Sequence, residues 1–341
     1  MAKYRDFIPQ NVAPKNVKRI GIYDSNGNRV GTIPLGSLAF PNVGQKLYSF
    51  GALSDVHIGY DTAEADFSTA LTFLHDNEKV AFTCVCGDLT GDGSNTQLSQ
   101  YKTIVGSRSV YAIAGNHEGI TADVASRIST YTGKPLYYSF THGDDVFIMV
   151  GTIGGEMYSD GVLFVDGELQ WLYETLEANR NKRCFVFQHI FAGVEKEAVC
   201  GNAGGLYTNW CWHNTTECNV FLSLMKHYKN VTWFHGHSHL KYALQKYGQL
   251  YANYSDTDGY RSVHIPSLAV PRYDTDGDGV GDSVYAESEG CVVDVYENGI
   301  HLRGRDFVKG EFLPIASYWL DTTLQTVAAG TYTDSTGTIK K

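Results

Sequence analysis

Five short motifs carry most of the chemistry available to this chain: Asp55-Val56-His57, Gly87-Asp88, Gly115-Asn116-His117-Glu118, Gln188-His189 and Gly236-His237-Ser238-His239. Their side chains offer carboxylate, carboxamide and imidazole donors and no thiolate. That mixed oxygen and nitrogen set suits manganese, iron or zinc in a reactive site rather than a sulfur-rich structural zinc.

The elements that must position these residues are legible from the runs that precede them. Each motif follows a candidate strand, at 47–53, 80–86, 110–114, 184–187 and 231–234, rich in Val, Phe, Ile and Cys and with little polar alternation. Such runs fit strands covered on both faces in a layered α/β protein. Ligand sites in these sheets lie beyond the carboxyl ends of the strands, so five strands can each deliver a loop to one crevice. In Asp55-Val56-His57 and His237-Ser238-His239 the paired donors stand two apart, which puts them on one side of a locally extended backbone. Glycines 87, 115 and 236 give the chain room to turn beside them. Helices are expected at 64–77, at 166–179 with Asp166 as N-cap, and at 216–228, from apolar residues at helical spacing.

The ordered set D-x-H, GD, GNH[ED], lone H and GHxH resembles the signature of the calcineurin-like metallophosphoesterase superfamily, over roughly residues 48–240. The resemblance implies a four-layer α/β/β/α sandwich, with small β elements appended at both ends. It also implies a binuclear centre: Asp55, His57 and His239 on the first metal, Asn116, His189 and His237 on the second, and Asp88 bridging. Two divalent ions about 3.5 to 4 Å apart can generate a bridging hydroxide nucleophile and clamp the oxygens of an in-line displacement at phosphorus. The counterpart of His117 faces the leaving group, so His117 is expected as general acid. Glu118 is expected to accept a hydrogen bond from His117 or from a ligand histidine and so orient it. The remaining histidines, His75, His142, His213, His227, His264 and His301, are expected as ordinary packed or surface residues, with His235 packing beside the site.

Two segments stand outside the signature. The stretch 191–218 is rich in glycine and aromatics, and as a long loop leaving His189 it could roof the site, with Tyr207, Trp210 or Trp212 against the organic part of a substrate. Anchoring the loop is the alternative use of those rings. The run from Asp274 to Asp282 sets Asp274, Asp276, Asp278, Val280 and Asp282 at the spacing of a calcium loop, with Gly279 at its sixth position. Tyr285 stands where an EF-hand needs a bidentate Glu, which leaves a single short calcium loop or a solvated turn.

With 43% hydrophobic and 19% charged residues the 341-residue chain has ample material for a core. A formal charge of -10 argues against general nucleic-acid or anionic-membrane binding. The polar first residues contain no apolar stretch of the signal-peptide kind, and no run is long enough for a membrane span, so a cytoplasmic protein is expected, with a phage- or surface-associated one as the alternative. Seven cysteines define no disulfide framework, although Cys200, Cys211 and Cys218 cluster closely enough for one bridge under oxidising conditions. The expected organisation is a small β element at 1–45 with a hairpin at 20–35, a metallophosphoesterase domain at 46–310 with a second hairpin at 291–302, and an extension at 311–341. The terminal β elements are candidates for homo-oligomer or assembly contacts. The function expected is hydrolysis of a phosphoester substrate, a phosphodiester first, because the single-domain members of the superfamily that the chain resembles include the class III cyclic-nucleotide phosphodiesterases. The alternatives are a phosphomonoester, or a glycerol-phosphate polymer attacked by a phage- or surface-associated enzyme; a binding module on the same fold is the non-enzymatic one.

Overall fold

Because helices cover one face of each sheet and the other sheet covers the opposite face, the central strands carry apolar residues on both sides, and four of them are buried along their whole length. The computed structural model describes residues 43–118, 123–152, 164–193, 216–242, 260–273, 287–325 and 327–339, together with the strand backbones 19–23, 29–34, 212–213, 252–255 and 282–283. In chain order the strands are Arg19–Tyr23 (β1), Arg29–Pro34 (β2), Lys46–Leu53 (β3), Thr83–Cys86 (β4), Val110–Ile113 (β5), Tyr138–His142 (β6), Asp145–Met149 (β7), Cys184–Phe187 (β8), Ala192–Gly193 (β9), Trp212–His213 (β10), Val231–His235 (β11), Ala252–Ser255 (β12), Tyr260–His264 (β13), Arg272–Tyr273 (β14), Asp282–Ser283 (β15), Glu289–Tyr296 (β16), Gly299–Asp306 (β17) and Glu311–Asp321 (β18). The described helices are Ala63–Thr72 (α1), which continues into a π turn over Phe73–Asn77, then Asn95–Val105 (α2), Val124–Thr132 (α3), Glu168–Ala178 (α4) and Thr216–His227 (α5).

Two six-stranded sheets result, ordered β18-β17-β16-β3-β4-β5 and β12-β13-β11-β8-β7-β6. Strands β3, β4 and β5 run parallel, as do β7, β8, β11 and β13. Three apolar layers follow from the two-residue period of a strand. Phe50, Cys84 and Cys86 of the first sheet meet Phe147, Phe185, Phe187 and Phe234 of the second. Their sequence neighbours turn outward: Leu53 and Val85 pack with Phe67, Leu71, Leu98 and Ile128 under α1, α2 and α3. Ile148, Val186 and Trp233 likewise pack with Leu172, Leu176, Phe221 and Leu224 under α4 and α5. This is the α/β/β/α sandwich. Phe50 sits at its centre, edge-on to Phe147 at 5.2 Å and stacked on Phe82 at 5.6 Å.

The hairpin expected at 20–35 is β1 paired antiparallel with β2, and the one at 291–302 is the turn between β16 and β17. The boundary drawn at residue 310 falls between two hydrogen-bonded strands, β17 and β18, and Tyr332 and Ile339 pack in the layer beneath α4 and α5. Asp166 is not the N-cap of α4. The helix begins two residues later at Glu168, with Gly167, whose φ is 87°, as its N-cap, and the buried Glu168 carboxylate accepts from Gly151 N and Val165 N. Cys218, expected in a loop, is buried in α5, while Cys200 and Cys211 lie outside the described residues. Among the described residues no helix is long and apolar enough to cross a membrane.

The end of the sandwich away from the motif loops is closed by one buried ion pair. Arg183 grips Asp145 through Nε at 2.9 Å and Nη2 at 2.6 Å, and Tyr48 donates to the same carboxylate at 2.6 Å. Nη1 of Arg183 reaches Tyr296 O and Thr322 Oγ1. Residues of both sheets are thereby tied at one point, and burial together with Asp145 pushes the Tyr48 phenol up. Removing one partner strands the other charge, so Arg183→Met should lower unfolding stability in urea by about 3–5 kcal/mol, and the double change with Asp145→Leu should recover much of it. A single-variant loss below about 1 kcal/mol would show that the clamp contributes little.

Candidate metal centre

All five motif loops leave the carboxyl ends of parallel strands on the same side of the sandwich, after β3, β4, β5, β8 and β11. Backbone hydrogen bonds lock the loops to one another. Asp55 N donates to Gly87 O at 3.1 Å, His57 N to Asp88 O at 3.0 Å, and Gly236 N to His189 O at 2.9 Å. Asp55, His57, Asp88, His237 and His239 all have positive φ, between 48° and 71°; Lys79 is the one other described non-glycine residue that does. The expectation that the two-apart pairs converge through an extended backbone is therefore corrected. Left-handed turns at the donors themselves aim the side chains, and such turns cost a non-glycine residue about 1–2 kcal/mol each.

Gly87 is also left-handed, with φ 86°, whereas Gly115 and Gly236 are not. Gly115 is required for another reason: a Cβ there would run into the Asp88 carboxylate.

The donors fall into two groups that share one residue. Asp55, His57, Asp88 and His239 form the first and Asp88, His189 and His237 the second, with the donor atoms of each group within 4.8 Å of one another. Oδ2 of Asp88 stands between them, 3.8 Å from His57 Nε2 and 3.1 Å from His189 Nε2. Its other oxygen accepts from His117 N at 3.0 Å, and Asp55 Oδ2 accepts from His237 N at 3.0 Å. Asn116, next in sequence to His117, is buried. The rings are oriented from behind: His189 Nδ1 donates to Cys86 O at 2.6 Å and His239 Nδ1 to Val270 O at 3.1 Å, which turns each Nε2 inward.

This set fits divalent cations. Asn116 Oδ1 is buried without a hydrogen-bond partner, while Asp55 Oδ1 and His189 Nε2 meet other members of the donor groups, His239 Nε2 and Asp88 Oδ2, each at 3.1 Å. The Nε2 atoms of His57 and His239 face each other at 3.0 Å. Lone pairs gathered this closely, each costing roughly 1–3 kcal/mol if left unsatisfied, need a cation among them. Burial pushes His57 and His237 down to about 3, so both are neutral donors. Burial also disfavours charge on His189, but Asp88 and Asp55 outweigh it and raise this imidazole to about 9. In return, and against their own burial, Asp88 is held well below the carboxylate range chiefly by His189, and Asp55 by His239 and His189.

His117 behaves differently from its neighbours. Its Nδ1 donates to Gly91 O at 2.6 Å, its Nε2 lies 3.9 Å from Asp88 Oδ2, and the side chain is 20% exposed. Glu118 does not orient a histidine. Its carboxylate is taken up by Thr90 N at 2.8 Å, Thr90 Oγ1 at 2.7 Å and Gly115 N at 2.9 Å, so it braces the turns that carry Asp88 and Asn116. Burial and nearby Asp88 push the Glu118 carboxyl up from its ordinary value.

Three residues near the centre escaped the sequence reading. Thr90 is the partner of Glu118. Arg127, buried in α3, donates to Gly93 O and to Glu118 O and so cross-links the loops on either side of His117. Tyr60, 38% exposed, lies flat on His57 at 4.8 Å and edge-on to His117 at 6.4 Å. Only Tyr60 had a local signal, an aromatic three positions beyond His57.

His235 is buried but belongs to neither donor group; its ring packs against Phe191 and Trp233. His75, His227, His264 and His301 meet hydroxyls of Thr83, Thr331, Ser238 and Ser317, and His142 packs on Tyr48. Tyr207, Trp210, Asp274, Asp276, Asp278 and Val280 lie outside the described residues. Trp212 and Asp282 are described only as backbone, Trp212 in β10 beside β9 and Asp282 in β15 beside β14.

A layered sandwich with a buried carboxylate and histidine crevice at its strand ends defines a metal-binding α/β protein. Residues 48–241, more than half of the chain, match the model of the calcineurin-like phosphoesterases, and the chain belongs to that family. Among solved structures, GAP50, described as the anchor in the inner membrane complex of Plasmodium, is similar with a TM-score of 0.53 at 13% identity, covering 83% of this chain and 90% of that one. A conserved uncharacterized protein from Streptococcus pneumoniae TIGR4, described as a predicted phosphoesterase, aligns at TM-score 0.37 and 12% identity over 80% of this chain and 97% of that one. Vps29 of Chaetomium thermophilum aligns at 0.38 and 14% over 82% and 100%. No curated protein matches the chain.

Ligand imidazoles must be unprotonated, so a metal entering the second group has to displace the His189 proton wherever the pH lies below about 9. Metal affinity should therefore rise with pH by up to about tenfold per unit between pH 6 and 8 and flatten above about 9, with one proton released per ion taken up there. Calorimetric titration in buffers of different ionisation enthalpy measures both quantities, and an affinity constant across that range would contradict the raised His189 basicity.

Proposed function

We propose that this chain hydrolyses phosphodiesters, using two divalent ions of the manganese, iron or zinc kind and His117 as general acid. The observation that carries the reading is the position of Asp88 Oδ2, between the two donor groups, with His117 Nε2 3.9 Å from it and partly open to solvent. In the assignment favoured here Asp55, His57 and His239 hold the first ion, Asn116, His189 and His237 the second, and Asp88 both. When bound, the ions would supply Lewis acidity toward the phosphoryl oxygens and an activated water. The protein's own part is to hold the donors with little freedom, through the loop-to-loop hydrogen bonds, and to keep a proton ready on His117 Nε2. The hydrogen bond from Nδ1 to Gly91 O leaves Nε2 as the nitrogen that faces an arriving leaving group.

Preference for the diester rests on the resemblance of the motif set to single-domain phosphodiesterases. Monoester hydrolysis by the same centre is the second reading. A related sandwich is described as an anchor in GAP50; a module of that kind would have no chemical need for a partly exposed imidazole beside the donor groups.

The deciding assay is turnover of bis(p-nitrophenyl) phosphate and p-nitrophenyl phosphate by metal-stripped protein, with manganese, nickel, zinc and iron restored separately. His117→Ala should cost roughly 10²–10⁴ in kcat on a diester with an alkyl leaving group, because an alkoxide needs the proton. The loss should be much smaller when p-nitrophenolate leaves. Asp88→Asn should abolish turnover and weaken metal uptake. Absence of turnover with every metal would overturn the enzymatic reading, and a His117→Ala variant as fast as wild type on the alkyl diester would overturn the general-acid role of His117.

A further inference from the structure

The last motif carries a residue whose side chain does not face the donor groups. Ser238 lies between His237 and His239, which serve different groups. Its Oγ accepts from Leu240 N at 3.3 Å and is hydrogen-bonded to His264 Nε2 at 2.8 Å. His264 is the last residue of β13 and pairs in register with His235 of β11, the strand from which this loop departs. Ile265 N donates to His235 O at 2.7 Å, so the strand carrying His264 is bonded to the base of the loop. Both Ser238 and His264 are buried, and the His235 ring, 5.4 Å from His264, packs against it. On either side of Ser238 the backbone is strained, with φ of 71° at His237 and 61° at His239.

A two-residue step between left-handed donors has no regular secondary structure to hold it. The hydroxyl of Ser238 is a side-chain tie from the middle of this step to the sheet strand that ends at His264, placed to act on both donors at once. We propose that Ser238 and His264 form a positioning pair that sets the separation of the two ions by fixing His237 relative to His239. The inference rests on the two-ion reading above and adds that the spacing depends on a hydrogen bond behind the loop.

Titration with manganese alone tests it, read by equilibrium dialysis for affinity and by electron paramagnetic resonance for exchange coupling between neighbouring ions. Wild type should take up two ions and show a coupled spectrum; if it does not, the two-ion reading fails before the pair is examined. Given a coupled wild type, Ser238→Ala and His264→Leu should each weaken manganese binding roughly 10- to 100-fold and lose the coupled signal, while Ser238→Thr, which keeps the hydroxyl, should retain it. The metal-free thermal midpoint of Ser238→Ala should stay near wild type, since a role confined to folding would move that midpoint and leave the coupling intact. A Ser238→Ala protein that binds two manganese ions with wild-type affinity and coupling would overturn the proposal, as would a Ser238→Thr protein that loses the coupling to the same extent as Ser238→Ala.

Discussion

Lone pairs crowded into one crevice are the constraint around which this molecule is built. Asp55 Oδ1, Asp88 Oδ2 and the Nε2 atoms of His57, His189 and His239 lie 3.0 to 3.9 Å from one or more of the others, and in water such groups would separate. They are held by five left-handed turns at non-glycine residues, together about 5–10 kcal/mol of backbone strain at 1–2 kcal/mol each. Neither the strain nor the crowding is self-sustaining. Something rigid has to impose them, and a cation relieves the second.

The rigidity comes from the layer between the sheets. Phe50, Phe82, Phe147, Phe185, Phe187 and Phe234 pack so closely that a shift of one strand end would displace several rings. Both sheets contribute donors: Asp55, His57, Asp88 and Asn116 follow strands of the first, His189, His237 and His239 strands of the second. Each donor group therefore spans the interface between sheets, and its geometry is a readout of how the sheets dock. Loop-to-loop bonds such as Asp55 N to Gly87 O, within one sheet, and His237 N to Asp55 Oδ2, across the interface, transmit that docking to the side chains.

The donor identities were legible because each motif follows a largely apolar run, and three of the five carry a glycine at 87, 115 or 236, a local pattern that one chain displays. How the donors are aimed was not, since nothing in Asp-Val-His or His-Ser-His announces a left-handed backbone. Glu118 was misread for a related reason. A carboxylate next to a histidine suggests that histidine as partner, yet its true partners, Thr90 and Gly115, are set by the packing of two loops. The interior strands were visible as buried runs, whereas β6, β7 and β18 passed unnoticed. The polar Ser139, Thr141 and His142 interrupt β6, and Pro314 sits in β18 at the edge of its sheet, where proline is tolerated. Helices α2 and α3 are short, and their buried residues are too few to stand out from the intervening polar ones.

Asn116 and His117 are adjacent, yet Asn116 is 2% exposed and the His117 side chain 20%, a difference that matches the ligand and general-acid roles proposed for them. A ligand atom works best where water is excluded, and the side chains of His57, His189 and His239 are between 0 and 7% exposed. A group that hands a proton to an alkoxide must instead touch a substrate arriving from solution. His117 satisfies that requirement by being fastened on three sides and open on the fourth: its backbone N–H is held by Asp88 Oδ1, its Nδ1 by Gly91 O, and its ring stands at 83° to His57. Tyr60, lying on His57 and edge-on to His117, forms the exposed wall beside that opening. The carboxylate that anchors the His117 backbone is thus the same one that joins the two donor groups, so a displacement of Asp88 would misplace donors and proton together.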